Sequence, residues 1–178
     1  VQQDAVEWVE PRPFYEILNS KGVEVMNVDD TWDNSIMSSI DSSWSGLDGS
    51  GIIVTVADTG LDNGVNNSNM HPDFRDHITG ILSFPPPASV CTAYSLSPCG
   101  DDAEDHHGHG THVAGSVLGD GTHSNGDIIG AAPEAHLLFH AIATTHNSEE
   151  KLLGIPNDLD DMFALDWANG SRIYTNSW

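Results

Sequence analysis

The sequence has very few basic residues: 5 Lys and Arg stand against 27 Asp and Glu, a formal net charge of −22 over 178 residues. Nucleic acids and anionic membranes would be repelled by such a chain, so we expect neither as a partner. The sequence also lacks an apolar run of about 18 residues or more, so it predicts no membrane-spanning helix. The acidic residues are spread along the chain, which argues against a disordered acidic tail.

Cysteine is also scarce, with only Cys91 and Cys99 in the stretch VCTAYSLSPCG. Two cysteines eight residues apart, beside Pro and Gly, can close a small loop in an oxidising compartment. The alternative is a pair of unrelated reduced thiols. Because no further cysteine or metal-binding spacing competes for them, we predict a Cys91–Cys99 disulfide.

Two continuous apolar runs predict buried strands. One covers Ile52 to Val56, and the other is AHLLFHAIA at 135–143. Such runs are typical of strands that are covered on both faces in a parallel sheet. The last stretch, SRIYTNSW, predicts the start of another strand, whereas residues 60–107 predict mostly loop.

Helical patterns lie between these strands. They are predicted over 30–46, from Gly110 onwards, and over NDLDDMFALDWANG, which Asn157 would cap. The apolar face of this last helix is expected to consist of Leu159, Met162, Phe163 and Trp167. The alternation of strands and helices predicts an α/β fold with a parallel sheet and right-handed crossovers.

The stretch DDAEDHHGHGTHVAGSVLG holds four histidines within seven residues, namely His106, His107, His109 and His112. A zinc site is disfavoured, because the spacing lacks the glutamate of a metalloprotease helix and no further ligand set is evident. Asp58 ends a predicted strand, where the reactive groups of α/β sheets gather. A histidine paired with it would gain a fixed tautomer and a stabilised cation, as a base serving a hydroxyl nucleophile requires.

The stretches VTVADTGLD and HGTHVAG resemble the aspartate and histidine signatures of the subtilisin-like serine proteases. The similarity continues through MHPDF, GAAPEAHLLFHAI and GSRIYTNSW, from about residue 45 to the end. It implies a three-layer parallel α/β sheet of the subtilisin type, of which this chain holds only the N-terminal half. It also implies that Asp58 is the orienting acid and His109 the general base, whereas His112 is a non-catalytic helix residue.

The resemblance implies a serine endopeptidase that hydrolyses peptide bonds in proteins with an Asp–His–Ser triad and no catalytic cofactor. Ser177 and Trp178 would lie along the strand that pairs with the substrate. The nucleophile is expected in a GTSMA segment and the oxyanion asparagine in a GN turn, and neither segment occurs in these residues. We therefore expect a complementary C-terminal fragment as a partner. The alternative is an inactive fragment or pseudoprotease that acts only by binding.

The N-terminal stretch VEWVEP resembles the last strand of a subtilase propeptide. We therefore expect residues 1–25 to be a propeptide-like tail of a zymogen, or an ordinary N-terminal extension. Residues 26–178 would be the N-terminal part of the catalytic domain. The motifs together look most like those of secreted, alkaline subtilases, so we expect an extracellular protein.

A structural calcium ion is also expected in the complete protein, without assigned ligands. Asp73 matches a position that ligates calcium in some subtilases. The stretch GDGTHSNGD offers Asp120, Asn125 and Asp127 as further oxygen donors, although it does not reproduce the usual calcium loop.

Overall fold

The computed structural model describes residues 19–32, 46–97, 99–100, 102–146 and 149–178. The predicted helix over 30–46 falls outside these residues beyond Trp32, and the stretch VEWVEP lies outside them entirely. The helices are α1 (Asn19–Val25), α2 (Asp29–Trp32), α3 (Ala88–Tyr94), α4 (His109–Leu118) and α5 (Asp160–Ala168). The strands are β1 (Ile53–Asp58), β2 (Ile78–Ser83), β3 (His136–Ala141), β4 (Thr144–His146), β5 (Glu149–Lys151) and β6 (Ile173–Asn176).

Four of these strands form one parallel sheet in the order β2-β3-β1-β6. The two central strands are the two apolar runs, because only a strand covered on both faces can bury such a run. Strands β4 and β5 form a separate antiparallel pair. The structure therefore confirms the predicted α/β architecture with a parallel sheet.

One face of the sheet packs against α4. Successive side chains of a strand point to opposite faces, so Val54, Val56 and Asp58 of β1 share this face. The core there also includes residues from β3, from α4 and from the chain after β1, namely Leu137, Phe139, Ala141, Ala114, Leu118, Leu61, Met70 and Phe74. The alternation thus directs the Asp58 side chain towards α4.

The opposite face packs against α5, but not through the apolar face that the sequence predicts. Met162 is fully buried, whereas Leu159, Phe163 and Trp167 are exposed. The side chain that joins Met162 at the sheet is Asp166, one helical turn later, and it meets His140 of β3 at 3.0 Å. Asn157 does not cap α5, because the helix begins after Leu159, and its first N–H, that of Asp160, donates to Oδ1 of Asp158 at 3.0 Å.

The segment between β1 and α4 contains more structure than the predicted loop. Strand β2 adds to the edge of β3, and α3 follows it. The structure joins Cys91 of α3 to Cys99, with 5.5 Å between their Cα atoms. Of the described helices, none is long and apolar enough to cross a membrane.

Candidate active site

Asp58 is the last residue of β1, and it is almost completely buried, with 2% of its surface exposed. It lies beside Ala141 at the carboxyl end of the sheet. The backbone N–H of Thr59 donates a hydrogen bond of 2.7 Å to its Oδ1 atom. A carboxylate in this position needs polar partners, because burial without them disfavours its charged form.

His109 supplies the main partner. Its Nδ1 atom lies 2.7 Å from Oδ1 of Asp58, and its side chain remains 41% exposed. An ionised carboxylate can only accept hydrogen bonds, so Nδ1 carries the proton in this contact. The other ring nitrogen, Nε2, is then the atom that can take a proton from a neighbouring group.

Two glycines allow the start of α4 to approach the turn after β1. A Cβ atom on Gly110 would overlap the carbonyl oxygen of Gly60, and one on Gly60 would lie 2.6 Å from the carbonyl oxygen of Glu104. Glycine is required at such positions because any side chain would separate the two backbones. The close approach places His109 within reach of Asp58.

Backbone hydrogen bonds fasten the two ends of the segment between β1 and α4 side by side. The N–H of Leu61 donates to the carbonyl oxygen of Ala103, and the N–H of Asp105 donates to the carbonyl oxygen of Asp62. Both N···O distances are 2.9 Å. The carboxylate of Asp105 adds hydrogen bonds to both ends, from Thr59 on one side and from Gly108 and Thr111 on the other.

The comparisons with known proteins agree with this geometry. The model of the subtilase family of peptidases matches residues 49–178. The chain belongs to the subtilase family. It is 43% identical over 94 residues to a subtilisin from Bacillus sp. (strain TA39), which covers 53% of this chain and 19% of that protein. It is 34% identical over 115 residues to the major intracellular serine protease of Bacillus subtilis (strain 168), covering 65% and 31% of the two chains.

A third relative, the intracellular serine protease of Paenibacillus polymyxa, is 33% identical over 112 residues, with 59% of this chain and 27% of that protein covered. The subtilase chain therefore spans less than a third of the length of each of these three relatives. The resemblance stated from the sequence motifs is confirmed at the level of the family.

A groove of about 720 Å³ runs beside His109 in this subtilase chain. Its lining joins α4 to the end of β6, and it includes His109, His112, Val113, Ile173, Asn176 and Ser177. His109 and Ser177, which the sequence analysis placed in the same site, thus share one groove. Trp178 is exposed and is not among the residues that line it.

The four clustered histidines do not converge on a metal. Within the described residues, one group brings three ligand atoms within 4.8 Å of one another, and its members are Asp102, Glu104 and His106. All three are exposed, as solvated surface groups are, and we assign no ion to them. The ring of His107 lies 6.0 Å from that of His109. The zinc alternative therefore finds no support in the described part of the chain.

Two of the expected calcium donors accept hydrogen bonds from backbone N–H groups. Oδ1 of Asp73 accepts from the N–H of His123 at 2.6 Å, and Oδ1 of Asp120 accepts from the N–H of Thr122 at 2.7 Å. Asp73, Asp120 and Asp127 do not form a group of three converging ligand atoms. We therefore assign no calcium ligand among these residues.

The residues that the sequence analysis missed are those that hold the two motifs together. Asp105 and Thr111 stand within the histidine stretch, and Thr59 directly follows Asp58, but the motifs alone assign none of the three a role. One signal was present, because Asp105 precedes Gly108 by three residues at a helix start, a spacing typical of a side chain that caps a turn.

Proposed function

We propose that the complete protein is a serine endopeptidase in which Asp58 orients His109 and His109 acts as the general base. The observation that carries this proposal is the 2.7 Å contact between a buried carboxylate and a half-exposed imidazole. Both residues stand in the segment that matches the subtilase family.

The proposed reaction needs a serine hydroxyl from another part of the protein. Nε2 of His109 takes the hydroxyl proton while the serine oxygen bonds to the carbonyl carbon of the substrate. Asp58 stabilises the imidazolium that forms and keeps the proton of Nδ1 in place. The imidazolium then gives its proton to the leaving amine as the C–N bond breaks, and a water molecule releases the acyl group by the same sequence of steps.

We place the peptide substrate along the end of β6. Ser177 and Trp178 directly follow β6, which pairs with β1 in the parallel sheet. A peptide bound there would be held by main-chain hydrogen bonds near Ser177 and Trp178, so recognition would depend little on its sequence. Ser177 also lines the groove beside His109, which supports a shared site.

The test is labelling of the native, complete protein with a fluorophosphonate, which reacts with an activated serine. We expect one labelled polypeptide, whether it is this chain's own continuation or a complementary C-terminal fragment. His109→Ala should abolish labelling, whereas His136→Ala, a matched change at an exposed histidine on β3, should not. Equal labelling of both variants would contradict the role of His109. Absence of any label would favour the alternative, a protein that acts only by binding.

The domain boundaries and the location are part of the same proposal. We propose a propeptide-like tail over residues 1–25 and a secreted enzyme whose catalytic domain begins with residues 26–178. The Cys91–Cys99 disulfide supports secretion, since disulfides persist in oxidising compartments. Two of the relatives are named intracellular proteases, so cell fractionation is the deciding test. Recovery from the cytosol with reduced cysteines would contradict secretion.

We also propose a structural calcium ion in the complete protein, without naming ligands. The acidic composition supports it, because carboxylates are the oxygen ligands that calcium prefers. A chelator should then lower the midpoint of thermal unfolding, and calcium should restore it. An unchanged midpoint would contradict the proposal.

A further inference from the structure

The Asp105 carboxylate accepts four hydrogen bonds from three residues. Oδ1 accepts from the hydroxyl of Thr59 and from the N–H of Gly108, both at 2.8 Å. Oδ2 accepts from the N–H of Thr111 at 2.8 Å and from its hydroxyl at 2.5 Å. A carboxylate has about four lone-pair sites, so these contacts use its full capacity as an acceptor.

The donors stand on the two sides of the candidate site. Thr59 directly follows Asp58, whereas Gly108 and Thr111 flank His109 at the start of α4. One side chain therefore bridges the two motifs whose residues meet at 2.7 Å. The bridge is independent of the Asp58–His109 contact itself.

The bridge also orients the two threonine hydroxyls, each of which accepts a further hydrogen bond. Because the Thr59 hydroxyl donates to Asp105, its oxygen accepts the N–H of Gly110 at 2.9 Å. The Thr111 hydroxyl likewise donates to Asp105 and accepts the N–H of Asp62 at 2.8 Å. A group at position 105 that does not accept from both hydroxyls would leave the two hydroxyl protons free to turn towards these N–H groups and weaken both bonds.

Asp105 also stays ionised at neutral pH. Burial would raise the pKa of this half-buried carboxyl, but hydrogen bonds from Thr111, Thr59 and Gly108 outweigh burial and hold its pKa below the ordinary value. It therefore remains a pure acceptor over the pH range in which an ordinary histidine titrates.

We propose that Asp105 is a positioning residue, whose carboxylate ties Thr59 to the start of α4 and so holds His109 against Asp58. Its catalytic consequence rests on the proposed function, because only a working triad would show it in turnover. Displacement of a catalytic group by about 1 Å can cost about 100-fold in rate. Asp105 touches neither partner's reacting atoms and acts through the backbone that carries them.

The first test is a ¹H NMR spectrum of the complete protein labelled with ¹⁵N-histidine. The proton between Nδ1 of His109 and Asp58 should give a low-field resonance. Asp105→Asn keeps the shape of the side chain but replaces one acceptor oxygen by a donor, so the resonance should broaden or shift. Asp76→Asn removes the same charge from an exposed loop and should leave the resonance unchanged.

Thr59→Val provides an independent variant, since it removes one hydroxyl of the bridge without touching Asp105. It should change the same resonance, and the double variant should add little to either single change, because both break one network. If Asp105→Asn fails to fold, Thr59→Val alone decides the question. An unchanged resonance in the folded Asp105 variant, or in Thr59→Val, would overturn the proposal.

The second test is turnover of a peptide substrate by the complete protein. Asp105→Asn should lower kcat by about 10- to 100-fold and leave KM within about twofold, because the groove keeps its residues. A loss confined to KM would overturn the positioning role. The NMR readout does not require activity, so failure of the proposed protease function and failure of the Asp105 proposal give different results.

Discussion

His140 and Asp166 form a second histidine–aspartate contact, 3.0 Å long, on the face of the sheet opposite Asp58 and His109. The His140 side chain is completely buried and packs against the ring of Phe84, with centroids 4.7 Å apart. Solvent and substrate cannot reach it. The two pairs share their residue types but not their geometry. His109 is bonded to Asp58 through Nδ1 and is partly exposed, whereas the buried His140 approaches Asp166 through Nε2 without forming a hydrogen bond.

The buried pair gives the first prediction. Burial lowers the pKa of His140 to about 4 and raises that of Asp166 to about 6. From pH 6.5 down to about 4, the unfolded chain binds a proton at position 140 that the folded chain does not, so His140 lowers stability as the pH falls. Asp166 acts in the opposite direction: it lowers stability as the pH rises from 3.8 to about 6.

Because the two effects nearly cancel, Asp166→Asn should expose the effect of His140. As the pH falls from 7 to about 4, we expect the free energy of unfolding of the variant to decrease by on the order of 3 kcal/mol more than that of the parent. Tyr174 also contacts this site, but its pKa is raised to about 12 and does not titrate in the window. Urea unfolding across this range measures the difference. Asp161→Asn, at an exposed position on α5, is the control, and a profile for Asp166→Asn parallel to that of the control would contradict the prediction.

The second prediction concerns the close approach at Gly110. In Gly110→Ala, the new methyl group would overlap the backbone of Gly60, so the start of α4 must move away. We expect a loss of about 1–3 kcal/mol in the free energy of unfolding and a change in the His109–Asp58 resonance.

Gly115→Ala on the same helix is the matched control. The added methyl group there meets only Phe74, at 3.9 Å, which is an ordinary van der Waals contact. This variant should be unchanged or stabilised by up to about 1 kcal/mol, because alanine favours the helix. Equal destabilisation of the two variants would contradict the prediction, because the loss of stability would then come from placing alanine in the helix and not from the contact with Gly60.

The third prediction concerns the tautomer of His109. Asp58→Asn keeps the size of the side chain, but its amide can donate to Nδ1 and so favour the wrong tautomer. We expect kcat of the complete protein to fall by about 10⁴-fold. Steady-state kinetics check this, with Asp76→Asn as a control for the lost charge. Retention of more than about a tenth of the activity would contradict the role of Asp58.

The fourth prediction concerns the disulfide. Closing a loop between residues eight apart lowers the entropy of the unfolded chain, which corresponds to about 2–3 kcal/mol of stability. The double variant Cys91→Ser/Cys99→Ser should therefore unfold more easily by about this amount. A reductant should weaken the parent and leave the double variant unchanged. Identical unfolding of all samples would contradict a stabilising disulfide.

The local sequence pattern was sufficient to predict the central strands β1 and β3, but it did not predict the edge strand β2. Strands β1 and β3 are covered on both faces, so most of their residues are apolar. Strand β2 has no fully buried residue and contains Gly80, so its sequence resembles a loop. It forms because β3, more than fifty residues later in the chain, supplies its hydrogen-bonding partner.

Helix α5 shows how a tertiary contact overrides an apolar pattern. The pattern predicted that Phe163 and Trp167 would face the sheet. The structure instead turns Met162 and Asp166 inward, where the carboxylate of Asp166 lies 3.0 Å from the buried His140. The sequence of the helix alone contains no information about His140.

The candidate site likewise contains residues that the sequence predicted and one that it did not. Asp58 and His109 were found through family motifs, which record the residues that a chemistry requires. Asp105 was missed, because its importance comes from donors at positions 59, 108 and 111 that meet only in the folded chain.

The paired fastening of Leu61 to Ala103 and of Asp62 to Asp105 has a consequence for how this family can diversify. These two bonds close the segment from Leu61 to Ala103, and the stretch from the end of β2 to Ala103, which contains the disulfide, lies inside it. Residues can therefore be gained or lost in that stretch, at an entropic cost of about 0.6 kcal/mol per doubling of loop length, without moving Asp58 relative to His109. Lineages can remodel this surface for new surroundings while inheriting the same chemistry.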